Sequence, residues 1–213
     1  MKILTGIPKE KLFEAGIQAA KGRYVMFVNG SDAFHPESFK GLYEVAENFH
    51  ADVLHLSNYV KVTSDKNFSV EVTEEGWDDD FDTLKVLQSL EEKVNAWTKN
   101  MLQKSIFNKL IRRDFLEEEK IFLSATTKSA QWVASLQLLL LAEKYLRVPK
   151  PLMMHVAEVV PTKNFGKFSA IREAAAERSA LNRLDDEVFF FDEYAEEKIL
   201  IRKTHEEFLN EVF

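Results

Sequence analysis

With 213 residues, 46% hydrophobic and 30% charged, the chain is long enough for one domain with a substantial core and is not wholesale disordered. Its net charge of −7 disfavours a protein that holds nucleic acid by neutralising phosphates, so no nucleic-acid partner is expected. The absence of cysteine excludes disulfides, thiolate catalysis and cysteine-ligated zinc, and 17 phenylalanines point to an aromatic core.

The opening MKILTGIPKEK has no apolar leader-type run. The longest apolar stretch, LQLLLLA at 136–142, falls far short of the roughly 20 residues that span a bilayer. A soluble, cytoplasmic protein without a membrane span is the expectation. Met1–Leu4 reads as a short strand, and Leu12, Phe13, Gly16, Ile17 and Ala20 recur at helical spacing up to a C-cap at Gly22. Arg23–Val28 is a run with little alternation, as in a strand buried on both faces. Pro36 then opens a helix with Phe39, Leu42, Tyr43, Ala46 and Phe49 on one face, and a further strand starts near Asp52. Strand, helix and strand in that order predict a parallel pair joined by a crossover.

Further on, SDKN at 64–67 reads as a hairpin turn into the strand FSVEV. DDDFD at 78–82 is expected to open a helix carrying Leu84, Leu87, Leu90 and Val94 and ending near Trp97. SIFNKLIRRDFLEEEKIFL reads as a helix followed by a short extended piece, QWVASLQLLLLAEKY as a helix, and LRVPKPLMMH as a strand interrupted by prolines. From Ser169 the pattern is helical to Glu187 and again through FFFDEYAEEKILIRKTHEEFLNEVF. Gly166 and Ser169 mark a boundary, dividing the chain into an α/β domain over 1–168 and a helical extension over 169–213.

Three blocks carry a resemblance. AGIQAAKGRYVMFVNGSDAFHPESFKGLY resembles the middle of a family-2 glycosyltransferase of the GT-A fold. There a helix ending Ala-Lys-Gly leads into a buried strand, a short acidic motif, a proline and a helix. SIFNKLIRRDFLEEEKIFL is similar to the Asn-Lys-Leu segment before that family's acceptor-side loop, and LLLLAEKYLRVPKPLMMH to the helix and strand after it. The resemblance covers residues from about 12 to 155. It implies a GT-A-like α/β domain with a short mixed sheet, flanking helices and a C-terminal helical extension.

The departures from the family pattern bear on function. The resemblance calls for Asp-x-Asp carboxylates that hold Mg²⁺ or Mn²⁺ against a sugar-nucleotide pyrophosphate, because the leaving diphosphate develops negative charge that a hard cation neutralises. Here the stretch reads Asn29, Gly30, Ser31, Asp32, which leaves Asp32 as a weak metal candidate and Asn29, Ser31, Asp32 and His35 as candidate substrate contacts. The acceptor-side loop calls for an acidic pair before an aromatic, one member being the base. The matching stretch is Ser129-Ala130-Gln131-Trp132. Trp132 matches the aromatic and is a candidate substrate contact, whereas Gln131 stands at the base position and accepts no proton at neutral pH. The family's initial Val-Ile-Ile-Pro strand and nucleotide-binding βαβ unit have no counterpart in this sequence, so an N-terminally truncated member is the expectation.

Other features read more plainly. Asp80 and Asp82 repeat an Asp-x-Asp pattern but are assigned to a helix N-terminus. The five histidines show no metal-ligand spacing. Arg112 and Arg113, beside Asp114, are assigned to a solvated helix face rather than to phosphate binding. Phe189–Phe191 with Tyr194 make an apolar patch expected to dock on the same chain, with dimerisation as the alternative.

The functional expectation is a glycosyltransferase-like protein with lost or strongly reduced transfer, a binding or assembly module beside a partner glycosyltransferase in polysaccharide synthesis. Two other readings stay open. One is an active enzyme that moves a sugar from a nucleotide-sugar to an acceptor hydroxyl, using Asp32, Mg²⁺ or Mn²⁺ and a complementing chain. The other is a ligand-free interaction protein or homo-oligomer.

Overall fold

A computed structural model describes residues 6–8, 11–28, 32–34, 36–57, 59–62, 68–71, 74, 76–77, 83–124, 127–156, 167–189 and 194–212. Two sheets organise it. The first has five strands in the order β1 (Tyr24–Met26), β7 (Lys109–Arg112), β3 (Val53–Leu56), β8 (Tyr145–Val148), β6 (Lys85–Leu87). The second has four, in the order β2 (Asp32–Phe34), β9 (Met153–Val156), β4 (Tyr59–Val62), β5 (Phe68–Glu71).

One pair of chain segments runs through both sheets. β3 and β8 are parallel in the first, and their continuations β4 and β9 are parallel in the second. The link after β8 has four residues, Pro149 to Leu152, against two between β3 and β4, so the register advances by two, from Val53 opposite Tyr145 to Tyr59 opposite Met153. Each segment that reads as one strand in the sequence is therefore two strands in different sheets. Pro149 and Pro151 lack the N–H that a continuous ladder needs, which places the break on the second segment. The expected hairpin is present as the antiparallel pair β4 and β5, while its turn at 64–67 lies outside the described residues.

Three expectations are corrected. β1 and β3 run in the same direction but are not neighbours: β7 lies between them, antiparallel to both. The Asn-Lys-Leu stretch begins this inserted strand instead of a helix. Its run Leu110-Ile111 has the strand's two-sided burial, and the short helix α4 (Arg113–Glu118) starts only afterwards. Likewise Lys85–Leu87 is an edge strand, and α3 (Leu90–Thr98) begins at a capping box: Glu92 N–H donates to Ser89 Oγ at 3.1 Å and Ser89 N–H donates to Glu92 Oε2 at 3.2 Å. Met1–Leu4 and Asp78–Asp82 lie outside the described residues.

Alternation assigns the faces of the first sheet. Leu54, Leu110 and Leu146 point to the side covered by α2 (Pro36–Phe49), through Leu42 and Ala46. Val53, Ile111 and Tyr145 point to the other side, into a larger core. That core receives Phe13 and Ile17 from α1 (Leu12–Ala19), Val94 and Trp97 from α3, and most of α5 (Lys128–Leu141). It also takes Leu181 and Leu184 from α6 (Lys167–Glu187) and Ile201 from α7 (Ala195–Val212). Phe189 and Tyr194 join the same core, so the described part of the aromatic patch docks on its own chain.

Candidate functional site

The segment that the resemblance marks as a metal motif starts where β1 ends. Phe27 bridges Phe107, and its ring lies 4.6 Å from that of Phe13, so this end of β1 is anchored in the larger core. Asn29, Ser31 and His35 lie outside the described residues. Asp32 opens β2 in the second sheet, half-buried and registered opposite His155. Phe34, two residues on and therefore on the same face of the strand, packs on Phe39 of α2 at 4.7 Å between ring centroids.

The residues that the resemblance marks as acceptor-side sit at the first turns of α5. Thr127 caps the helix, its Oγ1 accepting from Ala130 N–H at 3.0 Å. Gln131 is half-buried, and its Oε1 accepts a long bond from Ser105 Oγ at 3.5 Å; Ser105 in turn lies two residues before Phe107. The fold thus brings the Gln131 end of α5 towards the end of β1 through Ser105–Phe107. Trp132 does not share that surface. Its ring is 0% exposed, crossed by Trp97 at 5.0 Å and covered from α7 by His205 at 4.8 Å and Phe208 at 5.9 Å.

A carboxylate does stand at the α5 N-terminus, and it comes from elsewhere in the chain. Glu177 of α6, buried, accepts from Thr127 Oγ1 at 3.1 Å and from Ser129 Oγ through a short bond. The helix dipole and free amides favour an anion there. Ser129 and Gln131 are roughly 200° apart around the helix axis, so Glu177 lies on the far side from Gln131 and works as the contact docking α6 onto α5.

The most strongly charged cluster among the described residues was not anticipated. His55, Lys109 and Arg147 occupy one transverse row of the first sheet, Lys109 and Arg147 each registered directly opposite His55. All three are buried, and one carboxylate lies over them: Glu74 contacts His55 Nε2 at 3.0 Å and accepts from Arg147 Nε at 2.9 Å and from Gln103 N–H at 2.9 Å. Tyr145 OH meets His55 Nδ1 at 2.7 Å. Lys109 Nζ donates to the carbonyls of Gln103, at 3.2 Å, and Ser105. Arg147 also lies 4.5 Å from the centroid of Trp77, whose Nε1–H donates to Met101 O at 2.6 Å.

Burial, reinforced by Lys109, pushes the His55 imidazole down to about 4. Burial alone takes the Lys109 ammonium to about 7, against the opposing pull of Glu74. For Glu74 burial acts upward, but His55 and the bonds from Arg147 and Gln103 outweigh it and hold the carboxyl down near 2. Nothing in this row is open to a substrate. It pins the chain at Glu74–Trp77 across the sheet. The sequence signal was a Lys and a His inside apolar runs, FNKLI and VLHL, where a strand leaves a charge no route to water.

Arg112 and Arg113 are likewise structural. Arg112 forks onto Asp52 Oδ1 at 3.0 and 2.9 Å, and Arg113 Nη1 donates to Ala20 O at 3.1 Å. Among the described residues no group of three His, Asp or Glu side chains is gathered that would hold a metal. Segment 27–35 itself offers a hard divalent cation, which prefers several charged oxygen ligands, one carboxylate, that of Asp32. No described helix is long and apolar enough to cross a membrane.

No family model and no curated protein matches the chain. Solved structures do. The fold is similar to S. aureus TarS 1–349 in complex with UDP-GlcNAc, with a TM-score of 0.58 at 14% identity over 85% of this chain and 48% of that one. The UDP complex of TarS 1–349 gives a TM-score of 0.53 at 14% identity over 81% and 44%. Another S. aureus TarS structure gives 0.51 at 16% identity over 83% and 31%. The chain spans about half the length of these structures or less. The likeness shows the fold: a glycosyltransferase-like, GT-A-like α/β domain with a C-terminal helical part.

Proposed function

We propose that this protein is a glycosyltransferase-like binding or assembly module that does not transfer sugar from a nucleotide-sugar. The observation that carries this reading is the chemistry of two positions in a GT-A-like fold. Where the resemblance assigns carboxylates, the sequence has Asn29 and Ser31 before Asp32, and Ser129, Ala130 and Gln131 before Trp132. A neutral amide bonded to Ser105 takes no proton from an acceptor hydroxyl, and one carboxylate offers a divalent cation little charge. Residual recognition of a nucleoside diphosphate or of a saccharide acceptor is retained in this reading, and a partner glycosyltransferase supplies the transfer. The similar fold of a protein solved with UDP-GlcNAc supports this choice of ligand class.

Thermal melting of the full chain with UDP or UDP-GlcNAc, with and without Mn²⁺, measures binding, because a ligand selective for the folded state raises stability with its concentration. Release of UDP from UDP-GlcNAc measures turnover. The expected result is no turnover in any condition. Turnover that Asp32→Ala abolishes would overturn the proposal and establish an enzyme that works through Asp32.

A further inference from the structure

A cleft of about 690 Å³ opens between α1, the end of α4, α5 and α6, a volume in the range of small-molecule sites. Its apolar wall includes Ile17, Leu116 and Ile121. The facing wall is the Ala176, Ser179, Ala180 side of α6, three small residues at helical spacing that leave open the room a longer side chain would fill. Gln137 of α5 also lines it and is 1% exposed. Its Oε1 accepts from Phe122 N–H at 2.8 Å, which fixes the orientation of the amide. The Gln137 Nε2 then has no protein hydrogen-bond partner among the described residues, in a side chain that is almost wholly buried and lines the cleft. At the rim, Glu14 and Glu117 are matched by Lys120 and Arg183, so the entrance favours neither sign of charge.

We propose that this cleft binds a neutral, largely apolar small molecule that presents a carbonyl-type acceptor to the Gln137 Nε2–H. The site is separate from the sugar-nucleotide reading and does not depend on it. An anion meets Glu14 and Glu117 as well as the two cations, and Arg183 is already committed to the carbonyls of Glu119 and Lys120, the latter at 3.2 Å. Apolar burial supplies the affinity, and the Gln137 donor, anchored through Phe122, sets the orientation.

Nile red, neutral, apolar and carrying one ring carbonyl, is a suitable probe. Titrated with the full chain, it is expected to give saturable, blue-shifted emission. Ala176→Phe, at a half-buried position, places a ring in the cleft and is expected to weaken binding at least about tenfold. Gln137→Met keeps the length and volume of the side chain but removes the donor, and is expected to weaken binding about fivefold or more. Circular-dichroism melts of both variants establish that they are folded. Saturable emission weakened by both folded variants supports the proposal. No saturable emission, emission that Ala176→Phe leaves unchanged, or binding indifferent to Gln137→Met overturns it.

Discussion

Around Glu74 the carboxylate, imidazole, guanidinium and ammonium all have hydrogen-bond partners, whereas under α7 three ring nitrogens, Trp97 Nε1, Trp132 Nε1 and His205 Nε2, have none among the described residues. The first region carries several charges in the middle of a sheet. The second packs mainly by ring contact, Trp97 on Trp132 and Trp132 on His205 and Phe208, with one cation, Lys104 Nζ, 5.4 Å from the centroid of the Trp97 ring. A satisfied polar network resists being opened, because opening strands a charge. An aromatic seam with orphaned nitrogens keeps its area and stacking energy but bears a desolvation cost at each nitrogen. The row under Glu74 should therefore behave as the rigid centre of the fold, and α7 as the cover that opens first, with faster amide exchange along α7 than along β3 and β8.

The strongest attempt to break this contrast is Glu74→Ala. Removing this carboxylate takes a partner from both buried His55 and buried Arg147, and the expected loss is about 3–5 kcal/mol in urea unfolding. A loss below about 1 kcal/mol would show that the row relaxes or hydrates, and the contrast would fail.

Acid acts on the same row. The folded value of His55, about 4, lies below the 6.5 of an unperturbed histidine, so neutral His55 contributes stability that is complete above about pH 6.5 and is lost as pH falls towards 4. Glu74, near 2 against 4.5, adds a second loss as pH falls from 4.5 towards 2. The melting temperature is expected to fall steadily below pH 6.5. His55→Gln should flatten the window from 6.5 to 4. His205 is lowered too, by burial and Arg202, but is only half-buried, so His205→Gln should leave most of the slope in place.

Smaller effects are expected in the seam. Trp132→Phe keeps a ring and deletes an unpaired N–H; lost volume exceeds the relief, and the expected cost is about 1–2 kcal/mol by denaturant melt. His205→Phe replaces an unmet nitrogen by carbon within the ring stack and is expected to be neutral or stabilising by up to about 1 kcal/mol. A large loss there would mean that His205 Nε2 has a partner, such as a bound water, and would bring the seam closer in kind to the row.

Much of the fold was legible because its signals are local. The spacing of Phe13 and Ile17, the Pro36 start of α2 and the unbroken apolar face of α5 each depend on a few neighbouring residues. The errors came where sequence neighbours separate in space. LHLSNYVKV and LRVPKPLMM each look like one strand, yet each is divided between two sheets. The Asn-Lys-Leu stretch looks helical beside its charged followers, yet it is a strand inserted between β1 and β3. Ser89 and Glu92 did carry a readable capping signal, which outranks the leucine spacing that suggested an earlier helix start.

The candidate site divides in the same way. The sequence alone determined which groups stand in the motif positions: Asn29, Ser31, Asp32 and Gln131 have fixed chemistry wherever the chain places them. Only tertiary structure decided that Trp132 is sealed beneath α7, that Glu177 docks α6 onto the start of α5 across 48 residues from Ser129, and that His55 and Arg147 share the Glu74 carboxylate. The reason is range. Side-chain chemistry and periodicity are written within a turn or a strand, while burial and pairing depend on which distant segment arrives opposite, and that depends on the packing of the whole chain.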